Sequence, residues 1–312
     1  MLSMKAVRIH SYGGTDVLSY EDAPRPGPGP DEVFIRVHAT SVNPFDCAVR
    51  AGYMASYFNY SLPLILGTDV AGVVEEIGPG VTAFKPGDAV YARGGVSRDG
   101  AYAQYVVVPV TDVAFKPATL DDLQSAALPH VTLTAWQALF ELADLQPGQT
   151  ILIHGAGGGV GHMAVQLARW RGAKVIGTGS RNLDFVRELG ADRVVDYTVE
   201  PFEEVVSDVD VVLDTVGGDV QARSCLCLKP DGILVSVIQT PSEELASTYG
   251  VRSAMVYSSP PIGKTLTEVA RLVDAGLIKP HVSAVRPLHE IRAAHEMVEG
   301  KHTRGKVVLE VA

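Results

Sequence analysis

The apolar positions change rhythm part-way along the chain. In the first stretch they come as short alternating runs. Val33–His38 reads Val-Phe-Ile-Arg-Val-His, and Val70–Ile77, Ala89–Ala92 and Tyr105–Pro109 behave alike. A period of two predicts half-buried strands. Proline and glycine punctuate them at Pro24–Pro30, Gly78–Gly80 and Pro86–Asp88. From Asp121 to Leu142 the period becomes helical, with a break at Pro129. Beyond the turn Pro147–Gly148, strand and helix alternate. Thr150–His154 reads as a strand. Val160–Arg171 reads as a helix with Val160, Met163, Ala164, Leu167 and Ala168 on one stripe. Lys174–Thr178, Val194–Asp196, Val209–Asp214 and Gly232–Ile238 predict more strands, and Asn182–Leu189 a helix between the first two. Such alternation predicts βαβ units and a parallel sheet. Helices around Leu266–Ala275 and Leu288–Glu299 and a strand over Lys306–Val311 follow.

One loop changes the picture from architecture to chemistry. His154-Gly-Ala-Gly-Gly-Gly-Val-Gly161 follows a predicted strand and opens a predicted helix. Phosphate oxygens must come close to backbone N–H groups there, and a Cβ would block them. The helix N-terminus adds unpaired N–H groups and about half a positive charge. Gly155, Gly158 and Gly161 stand three apart; with Gly159 and Val160 they are the expected pyrophosphate contacts. The strict G-x-G-x-x-G form is absent, so a tight structural turn is the alternative. An NAD-preferring fold carries an acidic residue at the end of the second strand. Here Gly179 leads to Ser180 and Arg181, which can bond a 2′-phosphate. NADPH is therefore the expected cofactor, with NADH possible, since Asp184 lies a few residues on.

Composition narrows the partners. The 312 residues are 46% apolar and 20% charged, with a net charge of −10. This suits two ordinary globular domains. The acidic balance argues against nucleic acid or an anionic membrane. Three cysteines, Cys47, Cys225 and Cys227, make no even framework, and Met1–His10 lacks the apolar core of a signal peptide. A reducing cytoplasm is the expected location.

Taken in order, several motifs resemble the medium-chain dehydrogenase/reductase superfamily, nearest its zinc-independent quinone oxidoreductase (zeta-crystallin-like) branch. They are Ala39-Thr-Ser-Val-Asn-Pro-Phe-Asp46, Leu64-Ile-Leu-Gly-Thr-Asp-Val-Ala-Gly72, Val81–Tyr91, Leu133-Thr-Ala-Trp-Gln-Ala-Leu139, the glycine loop, and His302-Thr-Arg-Gly-Lys-Val-Val-Leu309. The resemblance implies an α/β chain, with a Rossmann doubly wound parallel sheet domain inserted into a GroES-like β-barrel domain. Residues 1–126 would form the catalytic domain and 127–259 the dinucleotide-binding domain. Residues 260–312 would return to the first. It also implies an active-site cleft between the domains and a homodimer. Thr134 would lie beside the nicotinamide ribose, Tyr197 near the adenosine phosphate, and Lys306 near the pyrophosphate. Val237 and Ile238, ending a strand, are expected to wall the nicotinamide.

Where zinc-dependent relatives carry ligands, this chain carries Asn43, then Thr68 and Asp69, then His130. Amide and hydroxyl are poor zinc donors, so no metal is expected. Without a Lewis acid, alcohol oxidation loses its driving element. Hydride transfer to a quinone or an α,β-unsaturated carbonyl remains. Asn43 is the expected donor to the acceptor carbonyl, and Tyr53 the expected polarising or proton-donating phenol. Asn43 as a plain turn residue and Tyr53 as an aromatic wall stand beside these roles. Asp46 and Asp214 read as structural, and Cys47 as a small buried side chain. Two alternatives stay open: an alcohol dehydrogenase with atypical zinc ligands, and a non-enzymatic NADPH-binding protein.

Overall fold

The structure is a computed structural model describing residues 2–257, 261–300 and 303–311. His302 of the last motif and the residues at the expected 259/260 boundary lie outside the described residues. The chain divides into two units. One comprises Met1–His130, Pro260–Ala275 and Pro280–Ala312; the other comprises Val131–Ser259 and Gly276–Lys279.

The first unit is built mainly on antiparallel pairing; Val282–Pro287 and Lys306–Glu310 run parallel. Glu32–Val42 is its central strand, lying between Asp69–Ile77 and Lys306–Glu310 and also pairing with Tyr105–Pro109. The sheet continues through Ala89–Arg93 to Val113–Phe115, and Val282–Pro287 flanks the C-terminal strand. A three-stranded sheet of Leu18–Pro24, Ser3–Ile9 and Leu64–Ile65 adds a second layer. Val33, Ile35, Val37, Val70, Val74, Val90, Val106, Val307 and Leu309 share one core. Burying each such side chain is worth about 1.5–3 kcal/mol. Alternation predicted Glu32–Val42, Asp69–Ile77, Ala89–Arg93 and Tyr105–Pro109, but not Leu64–Ile65 or Val113–Phe115. Ser3–Ile9, Leu18–Pro24 and Val282–Pro287 were not predicted. Nor was the helix Pro44–Ala51, which begins with proline at its first position and ends at Gly52 with φ 88°. Proline fits there because the first N–H of a helix has no intrahelical partner.

The second unit holds a parallel sheet in the order Arg193–Asp196, Lys174–Gly179, Thr150–Ile153, Val209–Asp214, Leu228–Ser236, Arg252–Met255. The chain starts in the middle, winds outward one way, then returns to wind the other. The strand order therefore reverses between Thr150–Ile153 and Val209–Asp214, which is where doubly wound sheets bind ligands. Because all strands run parallel, their carboxyl ends share one edge. The helical stretch Asp121–Leu142 is interrupted before Pro129 as expected, giving the helices Asp122–Ala126 and Pro129–Trp136, the second running into a π-helical turn, Gln137–Leu142. Proline explains the break, since it removes an N–H and clashes with the preceding turn. Glu243–Tyr249 and Arg252–Met255 were not foreseen.

Candidate functional site: a phosphate cradle and a buried polar cluster

In the second unit the loop after Thr150–Ile153 is shaped for close approach. Gly155 has φ 60°, and a Cβ there would sit 2.5 Å from Thr215 Oγ1. Gly158 is the N-cap of the helix Gly159–Arg171 in extended conformation and supplies no side-chain cap. The N–H groups of Gly159, Val160 and Gly161 thus lie in an uncapped first turn. A Cβ on Gly161 would meet Gly155 O at 2.2 Å. A dinucleotide pyrophosphate fits such a cradle.

The loops after the neighbouring strands join the same sheet edge. Tyr197, after Asp196, donates its hydroxyl to Ser180 Oγ at 3.0 Å. Arg181 beside it is exposed. Asp184 faces water and pairs with Arg187 at 2.6 Å, so its charge is met on its own helix. Asp214 closes the loop after Val209–Asp214. Its Oδ1 accepts from the N–H groups of Val216 and Gly217, and its Oδ2 from Gln221 and Ser236. Val237 donates its N–H to Asp214 O, and Ile238, 48% exposed, lies against Gly217. Thr134 is buried on Pro129–Trp136. His154, just before the loop, was not singled out by sequence reasoning. Its ring bonds Thr178 at 3.1 Å and Ser224 at 2.9 Å, and burial pushes its pKa down to about 4.

The first unit carries a second assembly. Asn43 is fully buried. Its amide nitrogen donates to Asp69 Oδ2 at 2.7 Å and to Thr68 Oγ1 at 3.2 Å. Its amide oxygen accepts from the Lys306 ammonium. Lys306 also donates to Val42 O at 3.0 Å and reaches Asp69 Oδ2 at 3.5 Å. Ser41 donates its hydroxyl to Asp69 Oδ2, Thr40 to Asp69 O, and the His130 N–H to Asp69 Oδ1 at 2.7 Å. Thr68 Oγ1 lies 3.4 Å from His130 Nδ1. Burial keeps the His130 imidazole neutral, with a pKa near 3. Asp46 accepts from the Asn43 N–H at 2.8 Å and from the Tyr102 hydroxyl at 3.2 Å, and burial raises its carboxyl to about 7.

Two expectations change here. Both amide hydrogens of Asn43 are already engaged, so as placed it has none left for a substrate carbonyl. Lys306 is 2% exposed, and its three ammonium hydrogens have acceptors inside the barrel. As placed, it is an internal cation of this cluster. Only strand pairing explains this, since Val307 registers opposite Val42. Tyr53 is 74% exposed, past the end of Pro44–Ala51. Zinc does not fit the cluster. An amide, a hydroxyl and a single imidazole are a weak donor set, and the ammonium already occupies the carboxylate and amide oxygens. Cys47, Cys225 and Cys227 are buried free thiols.

Comparison with known proteins agrees with this layout. Residues 29–118 match the alcohol dehydrogenase GroES-like domain, and residues 189–309 match a family described as zinc-binding dehydrogenase. "NAD(P)H oxidoreductase RTN4IP1, mitochondrial" of Danio rerio is 34% identical over 99% of this chain and 91% of its own length. The 2-haloacrylate reductase of a Burkholderia species is 33% identical, covering 97% of this chain and 98% of its own. The chain belongs to the medium-chain dehydrogenase/reductase superfamily, in its quinone oxidoreductase branch. The quinone oxidoreductase structure from Coxiella burnetii superposes with a TM-score of 0.94 at 36% identity, covering both chains completely. The fold is thus the expected Rossmann domain with a GroES-like domain. The names of these relatives concern those proteins. Among the described residues, no group of three or more His, Cys, Asp or Glu side chains is placed to hold a metal ion.

Proposed function

We propose that this chain is an NADPH-dependent reductase that delivers hydride to a quinone or an α,β-unsaturated carbonyl without zinc. The observation that carries the reading is the uncapped glycine cradle after Thr150–Ile153, carried by a chain whose Asn43–Thr68–His130 cluster offers donors that suit zinc poorly. The names of relatives, a quinone oxidoreductase and a 2-haloacrylate reductase, point to the same acceptor chemistry. When bound, the nicotinamide supplies the hydride. The N–H groups of Gly159, Val160 and Gly161 hold the pyrophosphate, and Ser180 and Arg181 hold the 2′-phosphate. Tyr197 fixes Ser180 in place. Val237 and Ile238 offer an apolar surface to the nicotinamide, and Thr134 sits by its ribose. Tyr53, with its exposed phenol, donates to the acceptor oxygen as charge develops there. The reading carries with it a homodimer, as the family resemblance implies. It also carries a reducing compartment, supported by the three unpaired cysteines.

The test is a cofactor-oxidation assay with NADPH and NADH against 9,10-phenanthrenequinone, 2-alkenals and 2-alkenones. Turnover with NADPH on either acceptor class supports the reading. Nucleotide binding without hydride transfer to any of them overturns it.

A further inference from the structure

The buried cluster around Asn43 contains a direction. Lys306 can only donate, so Asn43 must present its amide oxygen to it. Flipping the amide would set N–H against ammonium and C=O against the Asp69 carboxylate, two repulsive contacts. The amide nitrogen therefore faces Asp69 and Thr68. Thr68 Oγ1 accepts from it, which frees the hydroxyl hydrogen for another acceptor. The neighbour at hand is His130 Nδ1, 3.4 Å away. A ring nitrogen that accepts carries no proton, so in a neutral imidazole the proton sits on Nε2.

We infer that Lys306 is a positioning residue. It starts a run of one-way hydrogen bonds through Asn43 and Thr68 that fixes His130 as the Nε2–H tautomer. That tautomer offers a donor to an acceptor oxygen. This use of it rests on the proposed reductase function; the tautomer itself does not. Three observations support the run. Lys306 has its three hydrogens distributed over Val42 O, Asn43 Oδ1 and Asp69 Oδ2, so its ammonium cannot swing away without leaving acceptors empty. Asp69 ties down the His130 backbone N–H at 2.7 Å, so the ring's base is fixed by the same carboxylate. Phe45 lies against the imidazole, ring centroids 6.0 Å apart and tilted 30°, which limits its rotation. Burial keeps the ring neutral, which is the condition for a tautomer to matter.

Among the described residues, the charged and titratable groups around the run include Asp69, Asp46, Cys47 and Tyr102, with Arg93 on the strand paired with Asp69. None intervenes among the three donors. The sequence reading put Lys306 on the pyrophosphate, which makes a different prediction for nucleotide affinity.

The experiment is long-range 1H–15N spectroscopy of histidine-labelled protein, with and without NADP+, the His130 signals being assigned by their loss in His130→Gln. The wild type is expected to show the Nε2–H tautomer from pH 5 to 8. Lys306→Met should turn it into a tautomer mixture while NADPH affinity changes less than twofold. Lys306→Arg should restore part of it. Thr68→Val cuts the run one link further on and leaves no buried charge unpaired. It should give the same mixture even where Lys306→Met does not fold. With a turned-over acceptor, both variants should lower kcat at least tenfold and leave its KM nearly unchanged. An Nδ1–H tautomer in the wild type overturns the inference, as does an unchanged tautomer in Thr68→Val. A large loss of NADPH affinity in a folded Lys306→Met protein restores the pyrophosphate role instead. If the wild type reduces no acceptor, the proposed function falls, and the spectra still decide the run.

Discussion

Replacing Gly161 by alanine puts a methyl carbon where the chain has no room. A Cβ there would lie 2.2 Å from Gly155 O, 2.8 Å from Ala156 Cα and 2.9 Å from Ala156 C. The first contact is 1.2 Å short of the 3.4 Å at which ordinary contact begins. All three atoms are backbone, so no side chain can rotate out of the way. Either the loop opens or the helix Gly159–Arg171 retreats from the sheet. Overpacking of this kind costs about 1–3 kcal/mol. It also displaces the N–H groups that would face the pyrophosphate. Losing one charge-assisted bond costs about 1.5–3 kcal/mol, roughly a 10- to 150-fold weakening. Gly157 provides the control. A Cβ on Gly157 meets nothing closer than 3.6 Å, so Gly157→Ala should fold with wild-type stability. NADPH binding measured by fluorescence titration, beside urea unfolding, separates the two effects. A Gly161→Ala protein with wild-type stability and nucleotide affinity within twofold would refute the packing argument. So would a Gly157→Ala protein destabilised as much as Gly161→Ala.

Arg181→Ala should weaken NADPH about 10- to 150-fold, the loss of one charge-assisted contact, and leave NADH within twofold; equal losses for both nucleotides would remove the 2′-phosphate assignment. Asp46→Asn should raise stability at pH 8. Asp46 titrates near 7 in the folded protein against 3.8 in the unfolded chain, so the folded state binds the extra proton between those values. The native carboxyl is thus unfavourable above pH 7, by roughly a few kcal/mol, and this cost fades as pH falls toward 3.8. Urea midpoints at pH 8 and pH 5 check it, and destabilisation at pH 8 would contradict it. Asp214→Ala should cost about 2–4 kcal/mol, because four donors, from Val216, Gly217, Gln221 and Ser236, lose their acceptor; an unchanged unfolding midpoint would show that the loop does not depend on it.

The strand–glycine loop–helix arrangement of the second unit was readable in the sequence because its determinants are local. A glycine loop between a short apolar strand and an amphipathic helix, then Ser180 and Arg181 at the next strand's end, sit within about thirty residues. Parallel strands must carry those ends to one edge, so the structure had little left to decide there. Ser180 and Tyr197 meeting at 3.0 Å follows from the same topology.

The polar cluster was legible only in part. The motif around Asn43 and the stretch Thr68–Asp69 marked the region, and Asp46, read as structural, accepts from the Asn43 backbone N–H. What could not be read was the pairing of residues 263 positions apart, Lys306 with Asn43. Periodicity says that Lys306–Glu310 is a strand. It does not say which strand lies beside it, in which register, or that a lysine at its start turns inward. Those follow from closing the sheet through Val307 opposite Val42. Once a cation is buried there, desolvation obliges every neighbour to serve it. That obligation is why Asn43, expected to reach for substrate, is spent on holding the cluster together. Sequence alone thus determined the regularly patterned elements and the glycine loop, through local spacing. Tertiary structure decided which distant polar groups had to satisfy one another, because burial leaves no water to do it for them.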